Sequence, residues 1–309
     1  MQSVFRSMCL AICGTVLLLA GSAPAAETGA APPVYASIKA NPALWIVHSS
    51  AGTAYLFGSI HLLPPNIDWR SRPVQQALAS SDIFVFEAPL GDAGKEQTEN
   101  FVRANGLLPP ETALPSLLGE TARNDYRSAL RLTHVPPEEL VHLRPWLAAL
   151  VMETHLVEAE HYSPDSGIDR QVWAYAKSQN KPVQTLETID EQLRLFMPKD
   201  KKLEVEEFDA SLKEIGTDVN QVGGLVDAWT EGRMNEVARL MNAGLKSTPG
   251  AMKLLIDDRN ARWVTRISAM LAQHQTYFIT VGAGHIAGPR GLPALLAARG
   301  YRVEQIAPR

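Results

Sequence analysis

The sequence predicts an α/β protein in which the N-terminal and C-terminal segments build a mixed central sheet around a long, mostly helical insertion. Short runs of β-branched and aromatic residues lie near both ends of the chain, at 44–47, 53–57, 83–86 and 277–281. Helical spacing dominates between about 91 and 275, where Pro-rich breaks such as Pro136-Pro137 separate the segments. Strands that alternate with helices are typical of a largely parallel sheet covered by helices.

The first structural unit is a hairpin followed by a helix and a strand. Leu44–Val47 and Thr53–Phe57 are β-rich runs separated by a turn-like segment, which predicts two antiparallel strands. Arg72–Ser80 has helical spacing, with Pro73 in the first turn, where proline is tolerated. Ile83–Phe86 is a fully apolar strand. We therefore predict a strand–helix–strand unit over Thr53–Glu87 with a parallel pair of strands.

The C-terminal segment returns to the same α/β pattern. A strand is predicted at Pro182–Leu186 within the insertion, after a helical stretch. Tyr277–Val281 predicts another strand, Gly291–Arg299 a helix and Tyr301–Ile306 a final strand. We expect residues 34–309 to form a single domain with the insertion at about 91–275. Two independent domains are the alternative.

The first 25 residues have the layout of a secretory signal peptide. Arg6 precedes an apolar run over Met8–Ala20, and Ala23-Pro24-Ala25 supplies small residues for cleavage. We expect cleavage near Ala25, an Ala/Pro-rich linker over 26–33, and a periplasmic or secreted mature protein without a transmembrane helix. An uncleaved anchor is the alternative, although the apolar run is shorter than the roughly 20 residues that cross a membrane.

Composition excludes several functional classes. The chain has 46% hydrophobic residues and a formal net charge of −4, so it lacks the clustered basic residues of a nucleic-acid-binding protein. Its two cysteines, Cys9 and Cys13, lie within the predicted signal peptide. The mature chain would therefore have no disulfide, no thiolate nucleophile and no cysteine-based metal site. The oligomeric state does not follow from these observations.

Two Gly-x-x-His motifs occupy equivalent places at the ends of predicted strands. Gly58-Ser59-Ile60-His61 follows the first run and Gly282-Ala283-Gly284-His285 follows the last one. Ligands of α/β sheets bind beyond the carboxyl ends of the strands, and a glycine there allows a sharp turn or a close approach. One such motif is a weak signal, but two in the same context predict a shared site or an ancient duplication.

Two carboxylates stand at further strand ends. Glu87 directly follows Ile83–Phe86, and Glu187 follows Val183–Leu186. A carboxylate after an apolar strand is poorly solvated, so we expect a cation to neutralise it. Two imidazoles and one carboxylate are a common set for a catalytic divalent metal ion. We predict His61, Glu87 and His285 as ligands, with the metal activating water. The plain alternative is that each histidine only caps a strand end by hydrogen bonding.

These motifs resemble the TraB/GumN family, which includes the animal TIKI proteases and is more distantly similar to erythromycin esterases and the ChaN haem-binding lipoprotein. The resemblance extends over about 43–306. The segments that carry it are Leu44-Trp45, Gly58–His61, Phe86-Glu87, Gly167-Ile168-Asp169, Lys181-Pro182-Val183, Leu186-Glu187-Thr188, Arg259-Asn260, Trp263, Val281–His285, Gly288-Pro289 and Gly291. It implies a metal-dependent, peptidase-like hydrolase whose core site residues are His61, Glu87 and His285.

Our leading hypothesis is an exported metallohydrolase that acts on a peptide or small-molecule substrate. His61, Glu87 and His285 would hold a divalent metal ion, Mn, Co or Zn. Glu87, Glu187 and Arg259 are the candidate catalytic residues, with Glu87 a ligand or the base and Arg259 a partner for an oxyanion or a substrate carboxylate. The alternatives are a non-catalytic protein that holds a metal or haem in the same crevice, and an interaction module that uses its helical insertion.

Overall fold

The computed structural model describes residues 36–198, 200–215, 219–245 and 250–307. The predicted signal peptide at 1–25 and the linker at 26–33 lie outside these residues. Within them, no helix combines the length and the apolar character that crossing a bilayer requires.

The described residues include eight strands, which form one large sheet and one short ladder. They are β1 (Ile38–Lys39), β2 (Leu44–His48), β3 (Thr53–Ser59), β4 (Ile67–Asp68), β5 (Ile83–Phe86), β6 (Val183–Thr185), β7 (Thr276–Gly282) and β8 (Arg302–Ile306). The six-stranded sheet has the order β6-β5-β7-β3-β2-β8, and β1 pairs with β4 separately. Strands β6, β5, β7 and β3 are parallel, whereas β2 is antiparallel to both of its neighbours. The sheet is therefore mixed, and the predicted α/β class is confirmed.

Helices surround this sheet and fill the segment between β5 and β7. They are α1 (Arg72–Ser80), α2 (Gly91–Asn105), α3 (Glu120–Thr133), α4 (Pro137–Leu140), α5 (Pro145–Ala159), α6 (Ile168–Ser178), α7 (Ile189–Leu193), α8 (Lys201–Glu214), α9 (Val219–Thr230), α10 (Met234–Leu245), α11 (Asp258–Leu271), α12 (Ala283–Ile286) and α13 (Leu292–Ala298). A π-helical turn, Lys253–Asp257, leads directly into α11.

The C-terminal strand β7 lies between the two N-terminal strands β3 and β5. The strands of the predicted strand–helix–strand unit are thus parallel, but they are not neighbours as we expected. The reason is burial: six of the seven residues of β7 are buried, so the strand is covered on both faces. Such a strand is most stable at the centre of the sheet, and it brings the two ends of the chain together there.

Two apolar cores stabilise the molecule. The main core packs both faces of the sheet, where Phe57 contacts Trp69, Trp229 and Phe278 with ring centroids 5.6, 6.3 and 5.8 Å away. A second core lies among α3, α5 and α8, where Tyr126 packs near Phe208. Strand β6 of the insertion pairs with β5, so this segment also contributes to the main sheet.

The loop that carries His61 is joined to the segment before α6. Backbone hydrogen bonds connect Ile168 N to Ile60 O at 3.0 Å and Ser163 N to Leu63 O at 2.9 Å. Gly167 lies against this loop so closely that a Cβ atom there would be 2.0 Å from the His61 carbonyl oxygen. A residue without a side chain is therefore required at position 167 for the two segments to meet.

We predict that Gly167→Ala destabilises the fold by about 1–3 kcal/mol, because the new methyl group meets backbone atoms that cannot rotate away. Urea unfolding gives this free energy directly. Gly224→Ala is a matched control, since a Cβ there has its nearest neighbour at 4.0 Å. Because alanine is favoured over glycine inside a helix such as α9, Gly224→Ala should leave the free energy of unfolding unchanged or slightly raised. Equal stability of the two variants would show that the contact at His61 is not tight.

Candidate active site

The carboxyl ends of the four parallel strands meet at one edge of the sheet, and the predicted residues lie there. Glu87 directly follows β5, and Glu187 lies two residues beyond β6. His61 lies beyond β3, and His285 lies in α12, which begins where β7 ends. Ser59 pairs with Gly282 in the parallel register of β3 and β7, so the two Gly-x-x-His motifs are neighbours. Both histidines are at the same end of the sheet, as the shared-site hypothesis requires.

Arg259, the second residue of α11, occupies the centre of this edge. Its side chain has no solvent exposure. The guanidinium makes five polar contacts: Nε to Glu187 Oε2 at 3.1 Å, Nη2 to Glu187 Oε1 at 2.5 Å, Nη2 to Glu87 Oε2 at 2.6 Å, Nη1 to Leu255 O at 3.1 Å and Nη1 to His285 Nε2 at 2.9 Å. A guanidinium carries five N–H donors, so these contacts account for its whole donor capacity.

Glu87 is held by donors from three directions. Besides Arg259, the backbone N–H of Gly282 donates to Oε1 at 2.6 Å and Gln192 Nε2 donates to Oε2 at 3.0 Å. Its backbone carbonyl also accepts from the N–H of Glu187 at 2.8 Å. The cation that we expected beside this buried carboxylate is therefore Arg259. Charge-assisted bonds of this kind are short and fix the geometry of the carboxylate.

Glu187 is the second carboxylate on the guanidinium, and both of its oxygens contact Arg259. Burial raises the pKa of Glu187 above its usual value, because the charged form is poorly solvated. The nearby Arg259 charge opposes this rise in pKa, while the charge of Glu87 adds to it. Arg266 from the same helix α11 donates to the carbonyl of Leu186, which anchors this strand end.

His285 is neutral, and the network defines its tautomer. Because a guanidinium can only donate, Nε2 accepts from Arg259, and Nδ1 must carry the proton. Nδ1 then donates to Asn260 Oδ1 at 2.7 Å. Burial lowers the pKa of His285 well below its usual value, and the positive charge of Arg259 lowers it further. The ring packs on Trp263, with the centroids 4.3 Å apart.

His61 lies at the margin of the cluster that Arg259, Glu87, Glu187 and His285 form. Its side chain is 9% exposed, and its Nδ1 is 2.5 Å from Asp169 Oδ2, at the start of α6. A carboxylate beside an imidazole nitrogen orients the ring and stabilises the imidazolium that forms when the ring takes up a proton. His61 is also near enough to His285 for its charge to lower the pKa of that imidazole.

The structure adds three residues to the set drawn from the sequence. Asn260 binds His285 through Oδ1, and its Nδ2 donates to the carbonyl of Arg290 at 2.9 Å. Gln192 supports Glu87, and Asp169 pairs with His61. Asn260 and Asp169 stand inside segments that carry the family resemblance, but the sequence does not show that they contact His285 and His61. Nothing in the sequence distinguishes Gln192 from other polar residues of the insertion.

The cluster can act chemically as a preorganised polar centre. Two carboxylates and a neutral imidazole are fixed on one buried guanidinium, and a second imidazole lies beside them. Within 36–198, 200–215, 219–245 and 250–307, no three His, Cys, Asp or Glu side chains are spaced to hold one metal ion. His285 Nε2 and Glu87 Oε1 are 3.7 Å apart, within the roughly 3–5 Å that separates two ligand atoms of one metal ion.

A groove of about 1000 Å³ is lined by residues of β2, β8, α10 and α13 and by the turn that follows His285. Its walls include Trp45, Met234, Ile286, Gly288 and Pro293, together with the charged Arg239. Ile286 follows His285 directly, so this groove borders the turn that carries the second histidine.

The fold and the site together define an α/β domain with two Gly-x-x-His turns and an intervening glutamate at one sheet edge. The model of the TraB/PrgY/gumN family matches residues 43–305. The chain therefore belongs to the TraB/PrgY/gumN family.

Two relatives, described as uncharacterized protein YbaP, come from Shigella flexneri and Escherichia coli (strain K12). Each is 24% identical over 269 residues, which cover 85% of this chain and 96% of the relative. No solved structure matches the chain.

We predict that stability falls in acid because of His285. A lowered pKa keeps its imidazole neutral in the folded protein, so a proton is taken up only on unfolding. The stabilisation is complete above the usual pKa of 6.5 and is lost as the pH falls below it. The free energy of unfolding should therefore decrease by up to about 1.4 kcal/mol per pH unit between about pH 6 and pH 5.

Urea unfolding across this pH range measures the effect. His285→Gln cannot titrate and should flatten the profile, whereas His274→Gln, which changes an exposed histidine, should not. An unchanged pH profile in His285→Gln would contradict the neutral, buried imidazole.

Proposed function

We propose that this chain is a peptidase-like hydrolase of amide or ester bonds that acts at the carboxyl edge of its sheet. The observation that supports the proposal best is the buried cluster of Glu87, Glu187, Arg259 and His285, with His61 at its margin. Buried charges are costly, and an apolar sheet edge of the same volume is often the more stable solution. Clusters of this kind are therefore concentrated at functional sites.

His61 is the residue that would meet the substrate first. Among the five predicted residues its side chain is the most exposed, at 9%, while Arg259 and His285 are fully buried. An imidazole is well suited to take a proton from a water molecule as it attacks a carbonyl. Arg259 would hold Glu87, Glu187 and His285 in place on the buried side of His61. The groove that Ile286 lines, one residue after His285, would hold the rest of an extended peptide or of a small amide or ester.

A divalent metal ion on His61, Glu87 and His285 stays a prediction. The donor types are right for Zn, Mn or Co. However, the lone pair of His285 Nε2, which a metal would need, accepts from Arg259 at 2.9 Å, and Nη2 of the same guanidinium is 2.6 Å from Glu87. The residues as arranged do not fit a metal ion, because a fixed cation already lies among them. The chemistry proposed above therefore includes no step on a metal.

The predicted export favours an extracytoplasmic substrate. Cleavage of the predicted signal peptide after the A-x-A segment that ends at Ala25 would remove the N-terminal apolar run and release the domain. We propose a periplasmic or secreted location on this ground, so the mature chain from about residue 26 is the form for the experiments below.

Turnover of a library of peptides and chromogenic amides and esters tests this proposal. His61→Ala should lower kcat by about 10²–10⁴-fold, because the group that accepts the proton of water is lost. His155→Ala is a matched control: His155 is a half-buried histidine of α5, 3.7 Å from Glu139 in the helical insertion. Its activity should equal that of the wild type.

Each assay is run with a chelator and with added Mn²⁺, Co²⁺ or Zn²⁺. Equal activity of His61→Ala and the wild type would contradict the role of His61. Absence of turnover in every condition, with tight binding of a metal or of haem, would instead support a non-catalytic binding protein.

A further inference from the structure

We infer that Arg259 is the resident cation of this site and that its guanidinium, rather than a metal ion, holds Glu87, Glu187 and His285 in place. This deepens the proposed function, because it names the electrostatic centre of the same site. The inference concerns a positioning residue, since Arg259 acts through the groups that it orders. It makes the site one that is organised by a guanidinium and independent of divalent metal ions.

The spacing of the acceptors fits a guanidinium. Four acceptor atoms from Glu87, Glu187 and His285 lie between 2.5 and 3.1 Å from its nitrogens, at hydrogen-bond distances. Metal ligands approach to about 2.0–2.2 Å of a single point, which would draw them closer together. Glu187 contacts Nε and Nη2 with its two oxygens, the bidentate pairing that the planar arginine head group favours.

The guanidinium is also fixed from the helix side. Nη1 donates to the carbonyl of Leu255 at 3.1 Å, in the π-helical turn that precedes α11. Its Cζ atom lies 4.6 Å from the centroid of the Trp263 ring, so an aromatic face covers one side. The side chain has no exposed surface into which it could withdraw. A metal ion entering here would have to displace a cation that has no route to solvent.

One monovalent cation already lies between the two carboxylates of the cluster. Glu87 and Glu187 carry two negative charges when both are ionised, and Arg259 neutralises one of them. A divalent ion added beside Arg259 would place two cations next to each other in a buried space, where their repulsion is poorly screened. The neutral state of His285 agrees with a guanidinium at this place, because Nε2 of a neutral imidazole can accept from Arg259.

Chemical rescue tests the inference. Arg259→Ala removes the guanidinium and leaves a cavity of its shape, so the variant should be strongly destabilised. Methylguanidinium should enter the cavity and raise Tm by about 3 °C at about a tenfold excess over its Kd, the shift expected for a chain of this size. Methylammonium, which has no planar fork of donors, should raise Tm less.

Two further variants keep the test decisive. Arg127→Ala removes an exposed arginine of α3 and should gain nothing from methylguanidinium. If Arg259→Ala does not fold, Glu187→Gln/Arg259→Ala removes one of the uncompensated carboxylates together with the cation, and rescue is measured in that background. Because the readout is Tm, it does not depend on whether the protein turns over a substrate.

Metal analysis completes the test in the wild-type protein. We expect no stoichiometric Zn, Mn or Co, and no change in Tm with a chelator. A metal ion that is present in the wild type and lost in His285→Ala would overturn the inference. So would rescue of Arg259→Ala by Zn²⁺, Mn²⁺ or Co²⁺ but not by methylguanidinium. Absence of activity would leave the inference intact while removing the proposed function.

Discussion

The burial of one guanidinium charge is the constraint on which the rest of this site depends. Arg259 has no contact with solvent, so its charge is tolerated only because Glu87 and Glu187 lie against it. The two glutamates stand at the ends of adjacent strands, β5 and β6, and the arginine lies in the first turn of α11. The charge of Arg259 is therefore paired only when strands β5 and β6, the start of α11 and the turn at His285 all occupy their native positions.

The same constraint connects the fold to the proposed chemistry. A central strand, β7, separates the N-terminal strands and carries the second Gly-x-x-His turn to a position beside Glu87. The backbone N–H of Gly282 donates to that carboxylate, so the turn itself contributes to the site. His61 stays outside the densest part of the cluster, paired with Asp169. The result is a buried polar centre with one imidazole at its margin.

Much of this arrangement could be predicted from sequence because strand ends carry strong local signals. An apolar strand followed by a glycine and a histidine, or directly by Glu87, places a polar group at the sheet edge whatever surrounds it. The strand boundaries at Ile83–Phe86 and the helix at Arg72–Ser80 were predicted to the residue for the same reason, since apolar runs and proline define them locally. The mixed α/β class followed from these local patterns.

Long-range pairing was not predictable in this way. The position of β7 between β3 and β5 depends on burial across the whole sheet, and local spacing favoured a direct pair instead. Asn260, Gln192 and Asp169 act through partners 25, 105 and 108 residues away along the chain. The prediction of a metal site has the same weakness. His61, Glu87 and His285 have the right chemistry for ligands, but the sequence could not show that the Arg259 side chain contacts both Glu87 and His285.

A double-mutant cycle between Arg259 and Glu87 tests the central claim most directly. The free energy of unfolding in urea is measured for the wild type, Arg259→Met, Glu87→Gln and the double variant. If the guanidinium holds the carboxylate in place, Arg259→Met leaves two buried carboxylates without their cation and costs about 3–5 kcal/mol. Glu87→Gln leaves Glu187 as the carboxylate partner of Arg259, so its cost should be smaller. The double variant should then be more stable than the sum of the two losses predicts, by about 2–3 kcal/mol. Losses that add to within about 0.5 kcal/mol would show that the two residues act independently, and the account of the site would be wrong.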